Sequence, residues 1–245
     1  MSPDFRPLFE AATLPYLKAG RYAWHFARGK LRHDPVFVSL LRCGLLPDRG
    51  RLLDLGCGQG VLLSLLEAAK AQYQAGAWPP GWPVPPLNLV LQGVELREDR
   101  VRAARRALGV DVEIVQGDLR RLELRPCAAV AILDVMLYFD EAEQLHLLDR
   151  VAAALDSGGL LLLREADAGA GFAFQVTKWS ERIACAMRGD FARPLRYRSA
   201  IQWIAELERR GLAVRAEPMS EGTPFANVLF VARKELATGF PPPRE

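Results

Sequence analysis

The sequence predicts an α/β domain with a seven-stranded, mostly parallel sheet, helices on both faces, an antiparallel last strand and an N-terminal helical extension. Three observations predict it. The first 50 residues carry no strand-like run, short apolar runs alternate with helical segments after that point, and a short polar turn joins the last two runs. Alternating strands and helices indicate parallel β–α–β units, and a turn too short for a crossover helix implies a terminal antiparallel hairpin.

The predicted strands are short runs that are apolar on both faces, as strands between two layers of helices should be. The first five are residues 51–55, 89–95, 112–115, 128–134 and 160–164. The terminal hairpin comprises residues 212–215 and 225–232, with the polar turn 220–224 between them.

Capping residues mark several helix ends. Asp or Ser with Glu or Gln three residues later predicts a capping box, Asp before Pro predicts a helix start, and Gly predicts a helix end. These signals are Asp34 before Pro35, Gly109, Asp140 with Glu143, and Ser199 with Gln202.

A proline-rich segment at residues 78–86 interrupts the pattern after the first β–α unit. Five prolines in nine residues exclude a helix or a central strand. We expect a surface insert there, at the sheet edge opposite the active site.

A second unusual segment, residues 171–191, follows the fifth strand. Its apolar residues Phe172, Val176, Trp179 and Ile183 recur at helical spacing. The stripe predicts either packing against the core or a cap over a hydrophobic substrate, because segments after the carboxyl ends of strands often carry function.

The length of 245 residues suits one large α/β domain. We expect a helical cap at residues 1–50, a Rossmann-like domain at 51–234 with a helical insert at 168–198, and a tail at 235–245.

Composition and net charge restrict the kinds of binding partner, metal site and cellular location to expect. A net charge of +3 is too small to indicate nucleic acid. The four cysteines have no CxxC spacing and no nearby histidine cluster, so neither a metal site nor a disulfide framework is expected. Without an apolar run of roughly 18 residues or a signal-peptide pattern, we expect no transmembrane segment and a cytoplasmic location.

The motif with the most chemical content is LLDLGCGQG, residues 52–60. A buried strand ends at Asp54, and the chain turns through Gly56, Gly58 and Gly60 into a helix beginning near residue 59. Alternate glycines permit positive φ and let a ligand approach the backbone. The GxGxG spacing and the preceding Asp differ from the GxGxxG of dinucleotide-binding domains.

This motif resembles motif I of the class I S-adenosylmethionine-dependent methyltransferases, and the resemblance extends over residues 51–164. It implies their Rossmann-like fold and S-adenosylmethionine as the cofactor. The whole chain is also similar to bacterial methyltransferases of secondary-metabolite or aryl-polyene-type pathways.

The resemblance implies a cofactor role for residues at four strand ends. The glycine turn would enclose the cofactor, with Asp54 near its ammonium, and the end of the second strand would hold the ribose hydroxyls. The end of the third strand would bind the adenine, and the end of the fourth would face the methionine moiety and the substrate. These residues are Asp54, Gly56, Cys57, Gly58 and Gly60, then Glu95 and Leu96, then Asp118 and Leu119, and finally Asp134 and Val135. Taken singly, each acid could instead cap a helix or brace a turn.

Catalysis by in-line methyl transfer depends mostly on positioning, and a general base is needed only for a protonated nucleophile. His25 is the first candidate, since it is the one histidine in an aromatic-rich N-terminal segment; Tyr22 is the second, and Tyr138 and Glu165 are weaker ones. A packed or exposed helix residue is the alternative for His25. Lys30 or Arg28 could hold the cofactor carboxylate or form a solvated basic face.

The class of methyl acceptor can be restricted because the sequence lacks several motifs that are typical of particular acceptors. Asp134 is followed by VML rather than PPY, and neither a paired-Glu loop nor a cysteine at the fourth strand end is present. We therefore expect a small hydrophobic, aromatic or lipid-like acceptor, or an acyl chain on an acidic carrier protein that meets the basic run 21–32.

Three alternatives remain open. A Rossmann oxidoreductase would need GxGxxG and a Tyr-x-x-x-Lys pair, which the sequence lacks. A methyltransferase-fold protein could bind the cofactor without catalysis. An RNA or protein methyltransferase could use a phosphate-contacting patch of Arg193, Arg196, Tyr197 and Arg198.

Overall fold

The computed structural model describes residues 5–187 and 194–236. Seven strands form one sheet in the order β3-β2-β1-β4-β5-β7-β6, in which β7 runs antiparallel to both of its neighbours. This confirms the predicted sheet and its antiparallel last strand. The strands are β1 (Arg49–Leu55), β2 (Asn88–Glu95), β3 (Glu113–Gln116), β4 (Cys127–Leu133), β5 (Leu155–Ala166), β6 (Leu212–Pro218) and β7 (Asn227–Lys234).

Helices cover both faces of the sheet, and three of them precede β1. They are α1 (Arg6–Thr13), α2 (Arg21–His33), α3 (Pro35–Arg42), α4 (Val61–Gln74), α5 (Glu98–Leu108), α6 (Glu141–Ala154), α7 (Gly171–Met187) and α8 (Ala200–Glu208), with 3₁₀ turns at Leu14–Ala19 and Met136–Tyr138. No helix within residues 5–187 or 194–236 is long and apolar enough to cross a bilayer.

The sheet order places a crevice beside β1. This strand pairs in parallel with β2 on one side and with β4 on the other, so that Asp54 lies opposite Gly93 and Ala131. The connections reverse direction here, and open α/β sheets bind ligands at the carboxyl ends of strands at such a point.

The predicted helix ends are confirmed where they carry capping signals. Asp34 accepts from the N–H of Val36 at 3.2 Å and starts α3, and Gly109 with φ +70° ends α5. Both capping boxes form, at Asp140 and at Ser199. The helix after the glycine turn begins at Val61, two residues later than expected, because Gly60 takes the left-handed conformation.

The N-terminal helices pack directly against the helices that follow β1 and β2. Leu8 and Leu31 belong to the same buried cluster as Leu62 and Val101. The hydroxyl of Ser64 on α4 donates to the carbonyl oxygen of Ala12 at 2.6 Å. The division at residue 50 stays a prediction, but the two segments share one core.

Three of the four residues in the apolar stripe of α7 are exposed, so the first of the two alternatives, packing against the core, was wrong. Phe172, Trp179 and Ile183 are 84%, 67% and 56% exposed. The opposite face is buried instead. There Phe174 packs edge-on against Tyr197, and the Thr177 hydroxyl accepts from the N–H of Ala226 at 2.9 Å. A helical period alone does not reveal which face a helix buries when a polar residue finds a hydrogen-bond partner inside.

The proline-rich insert is anchored to the N-terminus by aromatic contacts. The rings of Trp78 and Trp82 lie 5.6 Å apart, and Trp82 contacts Phe5 at 4.8 Å. The indole of Trp78 also donates to the carbonyl oxygen of Pro83 at 2.9 Å. The insert is therefore a packed surface loop rather than a free one.

Candidate active site

A cavity of about 400 Å³, the first cavity, opens at the carboxyl ends of β1, β2 and β4. Ten of the eleven cofactor residues expected from the sequence line it, and Gly60 does not. The ten are Asp54, Gly56, Cys57, Gly58, Glu95, Leu96, Asp118, Leu119, Asp134 and Val135.

Each of the three positions in the glycine turn requires glycine, and the surroundings differ from one position to the next. Gly56, Gly58 and Gly60 have φ of +79°, +58° and +76°. A Cβ on Gly56 would lie 2.5 Å from a methyl group of Val135, and one on Gly60 would lie 2.7 Å from Leu108. A Cβ on Gly58 would meet nothing closer than 3.8 Å, so its surroundings are open to a ligand.

Glu95 ties the end of β2 to the glycine turn. Its carboxylate accepts from the backbone N–H of Gly58 at 3.0 Å and from that of Arg97 at 2.8 Å. A carboxylate offers about four lone-pair positions, so acceptor capacity remains for a ligand's hydroxyl groups. The side chain is buried and pre-oriented.

Asp54 is a buried carboxyl group without a hydrogen-bond donor among the described residues. Burial, followed by repulsion from Glu95, raises the pKa of Asp54 to about 7. A buried carboxylate of this kind is stabilised by a positively charged group placed beside it.

Asp118 braces the turn after β3 as well as lining the cavity. Its Oδ1 accepts from the backbone N–H of Arg120 at 3.0 Å, and this bond lowers the pKa of the carboxyl group. Leu119 is buried next to it. The cap-or-turn role and a ligand contact are thus compatible here.

Asp134 lies in a cluster of charged groups between the sheet and the N-terminal helices. Among the described residues it is the only non-glycine with positive φ, at +60°. The guanidinium of Arg164, which is 1% exposed, donates to both oxygens of Asp134 and also to Asp34. Lys30 bridges the same two carboxylates at 2.9 Å from Asp34 and 3.3 Å from Asp134.

Electrostatics in this cluster favour the charged states of Asp34 and Arg164. Burial would raise the pKa of Asp34, but Arg164 and Lys30 outweigh it and lower that pKa to about 2. Burial likewise opposes the charge on Arg164, yet Asp134 and Asp34 raise its pKa. The cluster is a fully paired network that connects β5 to α2 and α3.

Glu165 supports the backbone that lines the cavity. It is buried and accepts from the N–H groups of Val135 at 3.0 Å and Met136 at 2.7 Å. Burial, followed by repulsion from Asp134, raises its pKa to about 8. This position makes it a structural acceptor for the loop after β4.

A second cavity of about 400 Å³ adjoins the first. It lies between α2 and α7 and near the start of β7. The two cavities have five lining residues in common, which are Phe26, Lys30, Asp134, Arg164 and Glu181. Whatever fills the second cavity therefore lies beside the contents of the first.

The two catalytic candidates differ in position. His25 lines the second cavity and packs edge-on against Trp24. Tyr22 is 79% exposed and lines neither cavity. Tyr138 lines the first cavity, where its hydroxyl lies 3.5 Å from a carboxylate oxygen of Glu181.

The arginine patch considered for RNA is partly engaged inside the protein. The Arg198 guanidinium donates to Gln144 at 2.7 Å and lies over the ring of Trp203, and Tyr197 packs against Phe174. Arg193 lies outside the described residues. The side chains of Tyr197 and Arg198 therefore contact other parts of the protein.

Sequence reasoning missed the central residue of the charged cluster. Arg164 directly follows four consecutive leucines in a buried strand, and a charge in that setting indicates a buried, paired group. Asp34 was recognised as a helix cap, but its pairing across the fold could not be deduced from local pattern.

The first cavity fits S-adenosylmethionine. An unpaired buried carboxyl group suits its ammonium, a carboxylate with spare acceptor positions suits its ribose, and the open space at Gly58 admits it close to the backbone. A sheet of this order, with a glycine turn after β1 and an acid at the end of β2, defines the class I S-adenosylmethionine-dependent methyltransferases.

Residues 23–217 match the family described as "Methyltransferase domain", and the chain belongs to that family. The chain therefore contains a methyltransferase domain.

Solved structures of methyltransferases have the same fold as this chain. The chain is similar to an O-methyltransferase family protein from Burkholderia thailandensis, with 18% identity, a TM-score of 0.61, and 90% of this chain and 62% of that one covered. It is also similar to a magnesium protoporphyrin IX methyltransferase from Synechocystis PCC 6803 with bound SAH, with 19% identity, a TM-score of 0.57 and 88% of each chain covered.

A curated relative matches by sequence over a shorter stretch. It is a carboxy-S-adenosyl-L-methionine synthase from Chromohalobacter salexigens, 29% identical over 145 residues. The match spans 55% of this chain and about half of the relative, 48%.

Proposed function

We propose that the protein transfers the methyl group of S-adenosylmethionine in line to a small hydrophobic or aromatic acceptor, or to an acyl chain held by a carrier protein, seated in the second cavity. The supporting observation is the set of five residues that both cavities have in common. An acceptor there would lie against the methyl end of a cofactor in the first cavity.

The proposed cofactor contacts follow from the first cavity. Asp54 would pair with the ammonium, Glu95 would accept from the ribose hydroxyls, and Asp118 with Leu119 would hold the adenine. The glycine turn, with Cys57, and the residues Leu96, Asp134 and Val135 would complete the enclosure. When bound, S-adenosylmethionine supplies a methyl group already activated by the sulfonium charge.

The chain's own contribution to the reaction is mainly positioning, which can supply roughly 7–11 kcal/mol of barrier reduction. His25 is the proposed general base for an acceptor that arrives protonated, because it lines the second cavity and a neutral imidazole accepts protons near neutral pH. Tyr22 is the weaker choice because of its exposure.

The acceptor class rests on the lining of the second cavity. Phe26 and Phe225 supply apolar surface, and Thr177, Ser180 and Asn227 supply neutral polar groups. Ligand sites of this size combine apolar walls with a few polar groups that orient the ligand. An O-methyltransferase among the structural relatives supports a hydroxyl as the methylated group. The aryl-polyene-type resemblance supports a hydroxyaryl acyl chain on an acidic carrier.

The test is a tritiated-methyl assay with free hydroxyaryl acids and with the same acids bound to a carrier protein. Ser180→Phe fills the second cavity and should abolish methylation while leaving S-adenosylmethionine affinity unchanged, because Ser180 lines only that cavity. Gln175→Phe, on the exposed side of the same helix, is the matched control and should keep full activity. Equal activity in both variants would refute the acceptor assignment.

His25→Ala provides an independent check on the base. We expect roughly a hundredfold loss of kcat for a hydroxyl acceptor, with cofactor affinity retained. Tyr22→Phe should have little effect. Equal rates for His25→Ala and the wild type would remove His25 from the mechanism.

A further inference from the structure

The outer face of α2 carries basic and aromatic side chains and no acidic one. Its exposed residues with side chains on this face are Arg21, Tyr22, His25, Phe26, Arg32 and His33. Solvated helix faces usually intersperse charges of both signs. A face without a carboxylate over three turns therefore indicates attraction to something negatively charged.

The outer face of α7 is apolar and likewise carries no exposed acid among the residues whose side chains are described. Its exposed side chains are Phe172, Gln175, Trp179, Arg182 and Ile183. From Phe172 to Ile183 this face extends about 17 Å along the helix axis, at 1.5 Å per residue. Large apolar side chains gathered in one row mark an interaction surface, whereas scattered ones need no explanation.

Helices α2 and α7 both line the second cavity. His25, Phe26 and His33 of α2 line it from one side, and Ser180 and Glu181 of α7 line it from the other. The helices that carry the basic face and the apolar face thus flank one opening. We refer to these two sets of exposed residues together as the α2/α7 face.

The chemistry of the α2/α7 face matches an anionic lipid surface. Trp, Phe and Ile side chains insert at the boundary of headgroups and acyl chains, and neighbouring arginines pair with phosphate. A folded acidic partner would satisfy the arginines, but it would need a groove of its own for a row of side chains that stand 56–84% exposed. The observations favour the bilayer.

We propose that the α2/α7 face docks the protein on an anionic lipid bilayer, with the second cavity opening toward the membrane. The attachment combines insertion of α7 side chains with electrostatic attraction to α2, which is the pair of signals that stable peripheral binding requires.

The test is co-sedimentation with vesicles of phosphatidylcholine alone and of phosphatidylcholine with about one third phosphatidylglycerol. The wild type should bind only the anionic vesicles, and less at about 0.5 M salt. Trp179→Ser/Ile183→Ser removes the apolar part, and Arg21→Gln/Arg32→Gln removes the basic part. Each pair should weaken binding about tenfold or more, since one basic residue contributes roughly fivefold.

The matched control is Val110→Ser/Arg106→Gln on α5 and the loop after it, where Val110 is 98% exposed and Arg106 is exposed. This pair should bind vesicles as the wild type does, and all three pairs should keep the wild-type unfolding temperature and S-adenosylmethionine affinity. Failure to bind anionic vesicles overturns the proposal, as does equal weakening by the control. Binding to an acidic carrier protein through the α2/α7 face, without vesicle binding, would also overturn it.

Discussion

The backbone N–H of Gly58 donates to a carboxylate oxygen of Glu95 at 3.0 Å, which joins the glycine turn after β1 to the end of β2. The other oxygen of Glu95 accepts from Arg97 at 2.8 Å. The shape of the turn and the orientation of the acid are therefore one structural unit, formed before any ligand arrives. A ligand that contacts both meets a preorganised site, which reduces the entropy lost on binding.

Glu95→Gln should weaken S-adenosylmethionine binding by about 10- to 100-fold. The amide keeps one acceptor oxygen but turns an NH₂ group toward one of the backbone donors or toward the ligand hydroxyls. Calorimetric titration measures the loss. The control is Glu113→Gln, because Glu113 is an exposed acid on β3 that accepts a hydrogen bond from Gln92. This substitution should leave S-adenosylmethionine affinity unchanged. An unchanged affinity for Glu95→Gln would contradict its role.

Cofactor affinity should fall as the pH drops below about 7. The pKa of Asp54 is raised to about 7, and only the ionised carboxylate can pair with an ammonium. Between pH 8 and pH 6 the dissociation constant should rise about tenfold, and Asp54→Asn should be weaker throughout and lose this dependence. Titration in buffers of different ionisation enthalpy would detect the released proton. A flat profile in the wild type would rule out this pairing.

Asp54→Asn should also stabilise the ligand-free protein. The pKa of Asp54 is higher in the folded state, about 7, than the 3.8 of the unfolded chain, so the folded state binds more protons between these values. The group's contribution to stability is present below the unfolded pKa and is lost as the pH rises through 7. At pH 8 the substitution should add about 2–4 kcal/mol to the free energy of unfolding, and near pH 4 much less. Urea unfolding at both pH values checks this, and equal gains would contradict it.

Gly56→Ala should be much more harmful to stability than Gly58→Ala. Both glycines have positive φ, which costs about 1 kcal/mol for alanine, but only at Gly56 does the new methyl group clash with Val135. Val135→Ala should recover part of the loss in Gly56→Ala and none of the loss in Gly58→Ala. Thermal unfolding of the single and double variants measures this. Additive effects of Gly56→Ala and Val135→Ala would mean that the clash is absent.

Arg164→Met should destabilise the protein by about 3–5 kcal/mol at pH 7, because it removes the buried guanidinium and leaves two partly buried carboxylates with Lys30 alone. The double variant Asp34→Asn/Arg164→Met should lose less free energy of unfolding than the two single variants lose in sum. Since the pKa of Asp34 is lowered to about 2, this coupling should persist above pH 4 and fade as the pH falls toward 2. Coupling that is zero at pH 7 in urea unfolding would contradict the network.

Much of the fold could be predicted from the local sequence pattern. Buried parallel strands are apolar on both faces, and capping residues such as Asp140 and Ser199 mark the starts of helices. The residues that line the first cavity could be predicted because they lie at strand ends, which a parallel sheet gathers at one edge. The Arg164–Asp134–Asp34 cluster could not, since it joins residues 30 and 130 positions apart. The exposed face of α7 could not either, because the burial of Thr177 depends on a hydrogen bond from Ala226.

The most direct measurement is calorimetric titration of the wild type and of Asp54→Ala/Glu95→Ala with S-adenosylmethionine and with NAD. We expect one S-adenosylmethionine site in the wild type, no heat from NAD, and loss of that site in a double variant that still unfolds cooperatively. Wild-type affinity in the double variant, or binding of NAD instead, would contradict this expectation.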